Sequence, residues 1–404
     1  MSIEQWENQV HALVDWDINA ARVRAAEAPA EGPEAPLAGW SVAVKDIMDV
    51  AGIPTRCGVT FLPPEPAQRD ATVVEALKSK GAFVMAKAVT TAFAYLDPGP
   101  TRNPWNLERT PGGSSSGSAA AVACGMVRLA LGSQTVGSIG RPAAFCGVVG
   151  FKPTYGRLPT NGVFPLSPGV DTVGFFTADV ADAQHVWAAL TAEDPTPAPP
   201  SLRVGLITEM NCNQAEPVML QAVKEAGERL ARAGHQVQPA EWSPVANNAA
   251  RDHAFLVSAE AAHSHQVMFS RYGPAYTKKM RALIIRGQAV AESQIQEIQA
   301  QRSKAIKAVD KIFDHFDLLL TPSASGPAPL IESTGDPRMN LITSYLGVPA
   351  LTLPTQLDHL GLPLGLQLIG RRETDQSLLA MALEIEKILG FNARTPPLKR
   401  KADV

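Results

Sequence analysis

Serine crowds one short stretch of this chain. Residues 111–125 read PGGSSSGSAAAVACG, with four serines between positions 114 and 118. A serine hydroxyl is a weak nucleophile until a neighbouring group takes its proton. Glycines in such a loop can also let backbone N–H groups approach a phosphate, but that chemistry needs a lysine in a G-K-[ST] arrangement. Here Gly117 is followed by Ser118 and Ala119. SVAVKD at 41–46 looks like a kinase strand with its lysine, yet no H-R-D or D-F-G follows. GSSSG at 113–117 fits G-x-S-x-G with Ser115 at its centre, but NPWNLERTPG before it cannot be the strand that a nucleophile elbow requires. A third chemistry uses a lysine as the base, which works when burial lowers its pKa enough to populate the neutral amine. Lys45, at the end of an apolar strand, is the candidate.

AVKD at 43–46, GGSSSGSAAAVA at 112–123 and GSQTVGSIGRPAAFCGVVGFKPTYGR at 132–157 together resemble the amidase signature family. Ser114 and Ser138 stand 24 positions apart, as that family's two catalytic serines do. The close resemblance spans about 40–180 and resumes more weakly at FDLLLTPS, GVPALTLP and GLPLGLQLIG. It implies that Ser138 is the nucleophile and that Ser114, following a cis peptide bond, bridges it to the base Lys45. It also implies an oxyanion hole made by the N–H groups of Thr135, Val136, Gly137 and Ser138. No histidine, metal or cofactor is required. The competing structural roles are a helix cap for Ser114 and an ordinary turn for Ser138; three motifs in register favour catalysis.

The departures from the family pattern carry information. Its commonest form around the nucleophile is G-T-D-T-G-G-S-I-R, whereas this chain reads GSQTVGSIGR. Gln134 replaces an aspartate, and the arginine moves one place to Arg141. In the common form those two residues pair. A branch that includes malonamidase has a similar glutamine and displaced arginine, and there the arginine binds a carboxylate. The resemblance therefore puts Arg141, with Gly113, at the substrate, where a planar fork suits bidentate pairing. The alternative is that Arg141 pairs with an internal carboxylate or backbone carbonyl. Val136 replaces a usual glycine, and its β-branched side chain predicts a negative φ.

These residues need elements to hold them. A helix is expected from residue 4 to about 30, where Trp6, Val10, Val14 and Ile18 recur at fourfold spacing. Strands are expected at 41–46 and 82–87 and a strand or buried segment at 127–133, with helices at 70–80 and 116–127 and a loop over 97–113. The Pro-rich DPTPAPPS at 194–201 precedes a strand–helix–strand unit, a largely helical region at about 249–315, which the resemblance implies is variable, and further strands within about 316–390. Apolar strands alternating with helices indicate an α/β protein with a largely parallel, covered sheet. The residues alone leave open whether the Pro-rich stretch divides two domains. The resemblance implies one α/β/α domain over 1–404, with a mixed, largely parallel sheet covered by helices.

Composition excludes several classes. With 45% hydrophobic residues, 19% charged ones and a net charge of −3, the chain has no electrostatic footprint for nucleic acid. Its one basic run, LKRKADV, reads as a solvated tail. No apolar run reaches the roughly 18 residues of a membrane span, and the acidic, amphipathic N-terminus is not a signal peptide. Cys57, Cys124, Cys146 and Cys212 are widely spaced, which argues against zinc or disulfides and for a reducing, cytoplasmic setting. His263 and His265 lie two apart in a helical pattern and so face different ways, and Cys146 sits in an apolar run as an inert thiol. The expected partner is a small-molecule amide, with no nucleic acid and no membrane; both a homodimer and an accessory subunit would be compatible. Carbamate or ester cleavage, an ammonia-releasing subunit of a larger assembly, and a non-catalytic descendant remain alternatives.

Overall fold

The structure is a computed structural model and describes residues 3–14, 16–29, 35–208, 214–242, 248–391 and 396. Cys212 and the basic C-terminal run LKRKADV lie outside the described residues. Before the Pro-rich stretch come β1 (Leu13–Val14), β2 (Ser41–Lys45), β3 (Phe83–Ala88), β4 (Leu129–Gln134), β5 (Val149–Lys152) and β6 (Thr172–Thr177). After it come β7 (Arg203–Leu206), β8 (Gln236–Pro239), β9 (Leu318–Pro322), β10 (Ala350–Leu357) and β11 (Pro363–Ile369). All join one mixed sheet in the order β1-β3-β2-β4-β6-β5-β10-β11-β9-β7-β8. Strands from both sides of the Pro-rich stretch thus share a single sheet.

Parallel pairing occupies two blocks, β3-β2-β4 and β9-β7-β8, while the remaining ladders are antiparallel. That is less parallel pairing than the apolar runs alone suggest. Burial on both faces makes a strand uniformly apolar, and central antiparallel strands such as β6, buried throughout, meet the same condition.

Helices cover both faces. They are α1 (Ile3–Val10), α2 (Ile18–Glu27), α3 (Thr72–Ser79), α4 (Ser116–Ala123), α5 (Gly140–Cys146), α6 (Val180–Thr191) and α7 (Pro217–Arg232). The later ones are α8 (Ala249–Ser264), α9 (Gln266–Tyr272), α10 (Lys278–Gln288), α11 (Glu292–Asp310), α12 (Arg338–Leu346) and α13 (Asp375–Leu389). Alternation along β2 assigns the faces: Val42 and Val44 pack in the larger core with Val73 of α3 and Trp187 of α6. Ala43 points the other way, into a second core with Trp6 of α1 and Ala119–Ala123 of α4. No helix among the described residues is long and apolar enough to cross a membrane.

The single helix expected over 4–30 is instead two helices with β1 between them. At His11 φ is +51°, which ends α1. The buried Glu7 carboxylate then accepts the N–H groups of Ala12 (3.0 Å) and Leu13 (3.1 Å). Leu13 and Val14 pair antiparallel with β3, and the Asp17 carboxylate accepts the Asn19 N–H at the start of α2. Fourfold apolar spacing cannot distinguish this arrangement from a continuous helix, because Trp6 and Val10 are buried in either case.

The glycine- and serine-rich stretch is packed, not floating. Every residue from Ser116 to Ala123 is buried in α4. Its serines satisfy themselves on neighbouring backbone: Ser118 Oγ donates to Leu131 O at 2.8 Å, and Ser115 Oγ donates to Ser133 O at 3.2 Å. Gly117 permits the close approach, since a Cβ there would lie 2.1 Å from Ala12 O and 2.5 Å from Val89 N. A loop of small polar residues thereby becomes a shelf packed against β4 and against the residues flanking β1 and β3.

Candidate active site

β2 and β4 run parallel and adjacent, with Val44 opposite Leu131, so their C-terminal ends lie side by side. β2 ends on Lys45 and β4 on Gln134; α4 follows the shelf that closes over both ends. Lys45 Nζ lies 2.7 Å from Ser114 Oγ and 2.9 Å from Ser133 Oγ. All three side chains are buried. The peptide bond between Gly113 and Ser114 is cis.

Burial drives the Lys45 pKa down from its ordinary 10.5 to about 7, with the charge of Asp171 pulling the other way. An amine so placed is substantially neutral near pH 7 and can take a proton from a hydroxyl at hydrogen-bond distance. No salt bridge neutralises Lys45 among the described residues, whereas the neighbouring Asp46 pairs with a different buried lysine, Lys87, at 3.0 Å. The fold therefore separates two adjacent lysines by their partners: Lys87 faces the Asp46 carboxylate, and Lys45 faces hydroxyls.

Residues 135–138 form the turn between β4 and α5. Ser138 is 7% exposed. Gly137 lies close against the start of α12, since a Cβ there would be 2.7 Å from Asn340 Oδ1 and 3.1 Å from Pro337 Cβ. Val136 is not among the residues of positive φ, as its β-branched side chain predicted. The loop is gripped from several directions. Gln134 Oε1 accepts the N–H groups of Ile139 (2.8 Å) and Gly140 (3.0 Å), and Thr135 Oγ1 donates to Asp171 Oδ1 at 2.6 Å. Gln134 thus does more than lack a charge: its amide ties the end of β4 to the start of α5.

Arg141 is buried and its fork is occupied. Nη1 donates to Gly335 O and Nη2 to Gly113 O, both at 2.6 Å. Nε is buried without a partner among the described residues. These two carbonyls are partners of the kind that the sequence left open as the alternative for the displaced arginine. No carboxylate lies within ion-pair distance of Arg141 among the described residues. Burial lowers its pKa to about 10, with Asp336 acting in the opposite sense. Gly113, expected at the substrate, contributes its carbonyl to Arg141, and its α-carbon faces the methyl groups of Thr334 and Thr91.

The other sequence candidates separate clearly. His265 is buried, with Nδ1 2.9 Å from the Tyr276 hydroxyl, while His263 is exposed on the opposite side of its helix. Cys146 is buried, its thiol donates to Pro111 O, and burial pushes its pKa up. A cavity of about 190 Å³ adjoins the turn, lined by Ser133, Thr135 and Asp171 and by apolar side chains including Ile47, Phe164 and Leu166.

Family comparison bears directly on this arrangement. The amidase family model matches residues 1–379. The chain belongs to the amidase family. It is 33% identical over 422 residues to the 2-amino-5-chloromuconic acid deaminase of Comamonas testosteroni, covering 95% of this chain and 90% of the relative. It is 32% identical over 421 residues to a subunit of the glutamyl-tRNA(Gln) amidotransferase of Symbiobacterium thermophilum, covering 90% of this chain and 85% of that one. A solved amidase structure superposes with a TM-score of 0.88 at 30% identity, covering 96% of this chain and 94% of the other. Membership in the amidase family supports a hydrolase acting on amides.

Several side chains around the turn went unrecognised in the sequence. Ser133 lies inside the GSQTVGSIGR motif, where nothing marks it out from its neighbours. Asp171 carried a signal, being a lone carboxylate in the apolar run VDTVGFF. His253, whose Nε2 is 2.9 Å from Thr135 O, carried none, because it is one of several polar residues in a helical stretch 118 positions away.

Proposed function

We propose that this chain hydrolyses the amide bond of a small substrate through an acyl-enzyme on Ser138, releasing ammonia or an amine. The observation that carries the reading is the buried Lys45 amine, 2.7 Å from Ser114 Oγ and with its pKa lowered to about 7. In the proposed reaction the Ser138 oxygen attacks the amide carbonyl while its proton passes through Ser114 to Lys45. The backbone N–H groups of 135–138 receive the charge on the carbonyl oxygen, a contribution worth roughly 3–4 kcal/mol per donor. The carbon–nitrogen bond then breaks, the nitrogen leaves with a proton, and water repeats the attack on the acyl-enzyme. Ser138 and Ser114 are scarcely exposed, which favours a compact substrate.

The substrate is proposed to carry a carboxylate near Arg141. A buried guanidinium with no ion-pair partner is costly, and an acidic substrate would supply the missing charge. The relative named for 2-amino-5-chloromuconic acid also has an acid in its printed name. With both Nη atoms committed, Arg141 would act through its field and its Nε rather than through a bidentate fork. A second reading, an amidase subunit that needs a partner, is favoured by the relatives named as amidotransferase subunits.

Ammonia release from a panel of small amides, acidic and uncharged, tests the reading with wild type beside Ser138→Ala and Lys45→Ala. Turnover by wild type alone is expected, fastest on an acidic amide. Turnover that survives both substitutions would sink the proposed site. Activity that appears only after a co-purifying protein is added would favour the subunit reading.

A further inference from the structure

Two side chains from outside the sequence motifs hold consecutive carbonyls of the turn. His253 Nε2, on α8, lies 2.9 Å from Thr135 O. Ser344 Oγ, on α12, donates to Val136 O at 2.8 Å and accepts from Gln134 Nε2 at 3.0 Å. A carbonyl oxygen can only accept, so the His253 proton sits on Nε2. The ring is 2% exposed, and burial lowers its pKa to about 4, so it is neutral and has one tautomer to offer. Its edge packs against Tyr345, which fixes the ring from the α12 side.

The geometry of the peptide bond gives these contacts a consequence. A trans peptide is planar, and its C=O and N–H point in opposite directions. The Thr135 carbonyl shares its plane with the Val136 N–H, and the Val136 carbonyl shares its plane with the Gly137 N–H. The cis bond among the described residues is elsewhere, at Gly113–Ser114. Anchoring two successive carbonyls on α8 and α12 therefore turns two successive N–H groups to the other side of the chain. Thr135 is restrained further by its hydroxyl on Asp171.

We infer that His253 and Ser344 are positioning residues that aim the Val136 and Gly137 N–H groups at the oxygen of an amide carbonyl bound beside Ser138. The inference rests on the proposed amide hydrolysis at Ser138. Neither side chain touches the reacting atoms; each acts through the peptide plane it holds. This gives α8, in the variable helical region, a direct hold on the turn.

The test measures kcat and KM on the best amide of the panel, together with the rate at which a fluorophosphonate labels Ser138. In that labelling the Ser138 oxygen–phosphorus bond forms, fluoride leaves, the serine proton passes to the lysine relay, and the phosphoryl oxygen uses the same N–H groups. His253→Leu and Ser344→Ala are each expected to lower kcat about 10- to 100-fold, below the full loss of an oxyanion donor. KM should stay nearly constant, and labelling should slow in parallel. His253→Gln, which offers an amide N–H at similar reach, and Ser344→Thr, which keeps the hydroxyl, should recover most of the loss. Wild-type kcat and labelling in His253→Leu would overturn the inference. So would a raised KM at constant kcat, or a loss that neither conservative variant rescues. If wild type is labelled but turns over no amide on the panel, labelling rates alone decide the matter. Wild type that is neither active nor labelled would overturn the proposed hydrolysis, and this inference with it.

Discussion

Replacing Lys45 with methionine separates the energetic cost of its burial from its chemistry. Methionine fills nearly the same volume without an amine, so the packing of β2 should survive. In the folded protein the amine titrates at about 7 instead of its ordinary 10.5. A group with a depressed lysine pKa binds fewer protons folded than unfolded between those two values, so its contribution to stability rises with pH across that window. Integrating from pH 7 to pH 9 gives a gain of about 2 kcal/mol for wild type that Lys45→Met cannot show. Urea titrations of both proteins at pH 7, 8 and 9 measure the difference directly, since other groups titrate alike in the two. The methionine variant should also lose at least about 100-fold in kcat/KM, the lower end of what a general base supplies. In wild type kcat/KM should rise with pH and level off above about 7. A stability difference that stays flat from pH 7 to 9 would show an ordinary, fully charged amine, and the argument for a neutral base would fail.

Three further outcomes follow from the same geometry. Asp171→Asn removes a charge that raises the Lys45 pKa; the acidic limb of the pH–rate profile should move to lower pH, and an unmoved limb would show that Asp171 does not influence the base. Arg141→Ala releases the carbonyls of Gly113 and Gly335, so kcat should fall on every amide, and the acidic ones should lose additional affinity. A loss confined to uncharged amides would contradict both roles. Gly117→Ala places a methyl group against the Ala12 carbonyl, and should destabilise by about 3 kcal/mol, the upper range for overpacking; an unchanged melting temperature would show that α4 can shift away.

How much was legible in the sequence depends on how locally each feature is determined. Lys45, Ser114 and Ser138 each sit in a short motif whose order survives folding, so the resemblance could name them together, and the structure brings Lys45 beside Ser114. Strands β2, β3, β4, β9, β10 and β11 were readable because continuous apolar runs report burial on two faces. Their directions were not, since parallel and antiparallel central strands bury the same side chains. The break between α1 and α2 was hidden because it depends on β3 being available to pair with Leu13 and Val14.

The surroundings of the site were settled only by tertiary structure. The partners of Arg141 include Gly335, 194 positions away, and nothing near either residue announces the contact. Ser344 reaches Val136 across 208 positions. A hydrogen bond between distant segments leaves no periodic trace, because each end needs only one suitable atom and a backbone that delivers it. The same holds for the lowered pKa of Lys45. Its sequence supplies an amine at the end of an apolar strand, but the cost of charging that amine is set by everything the fold packs around it.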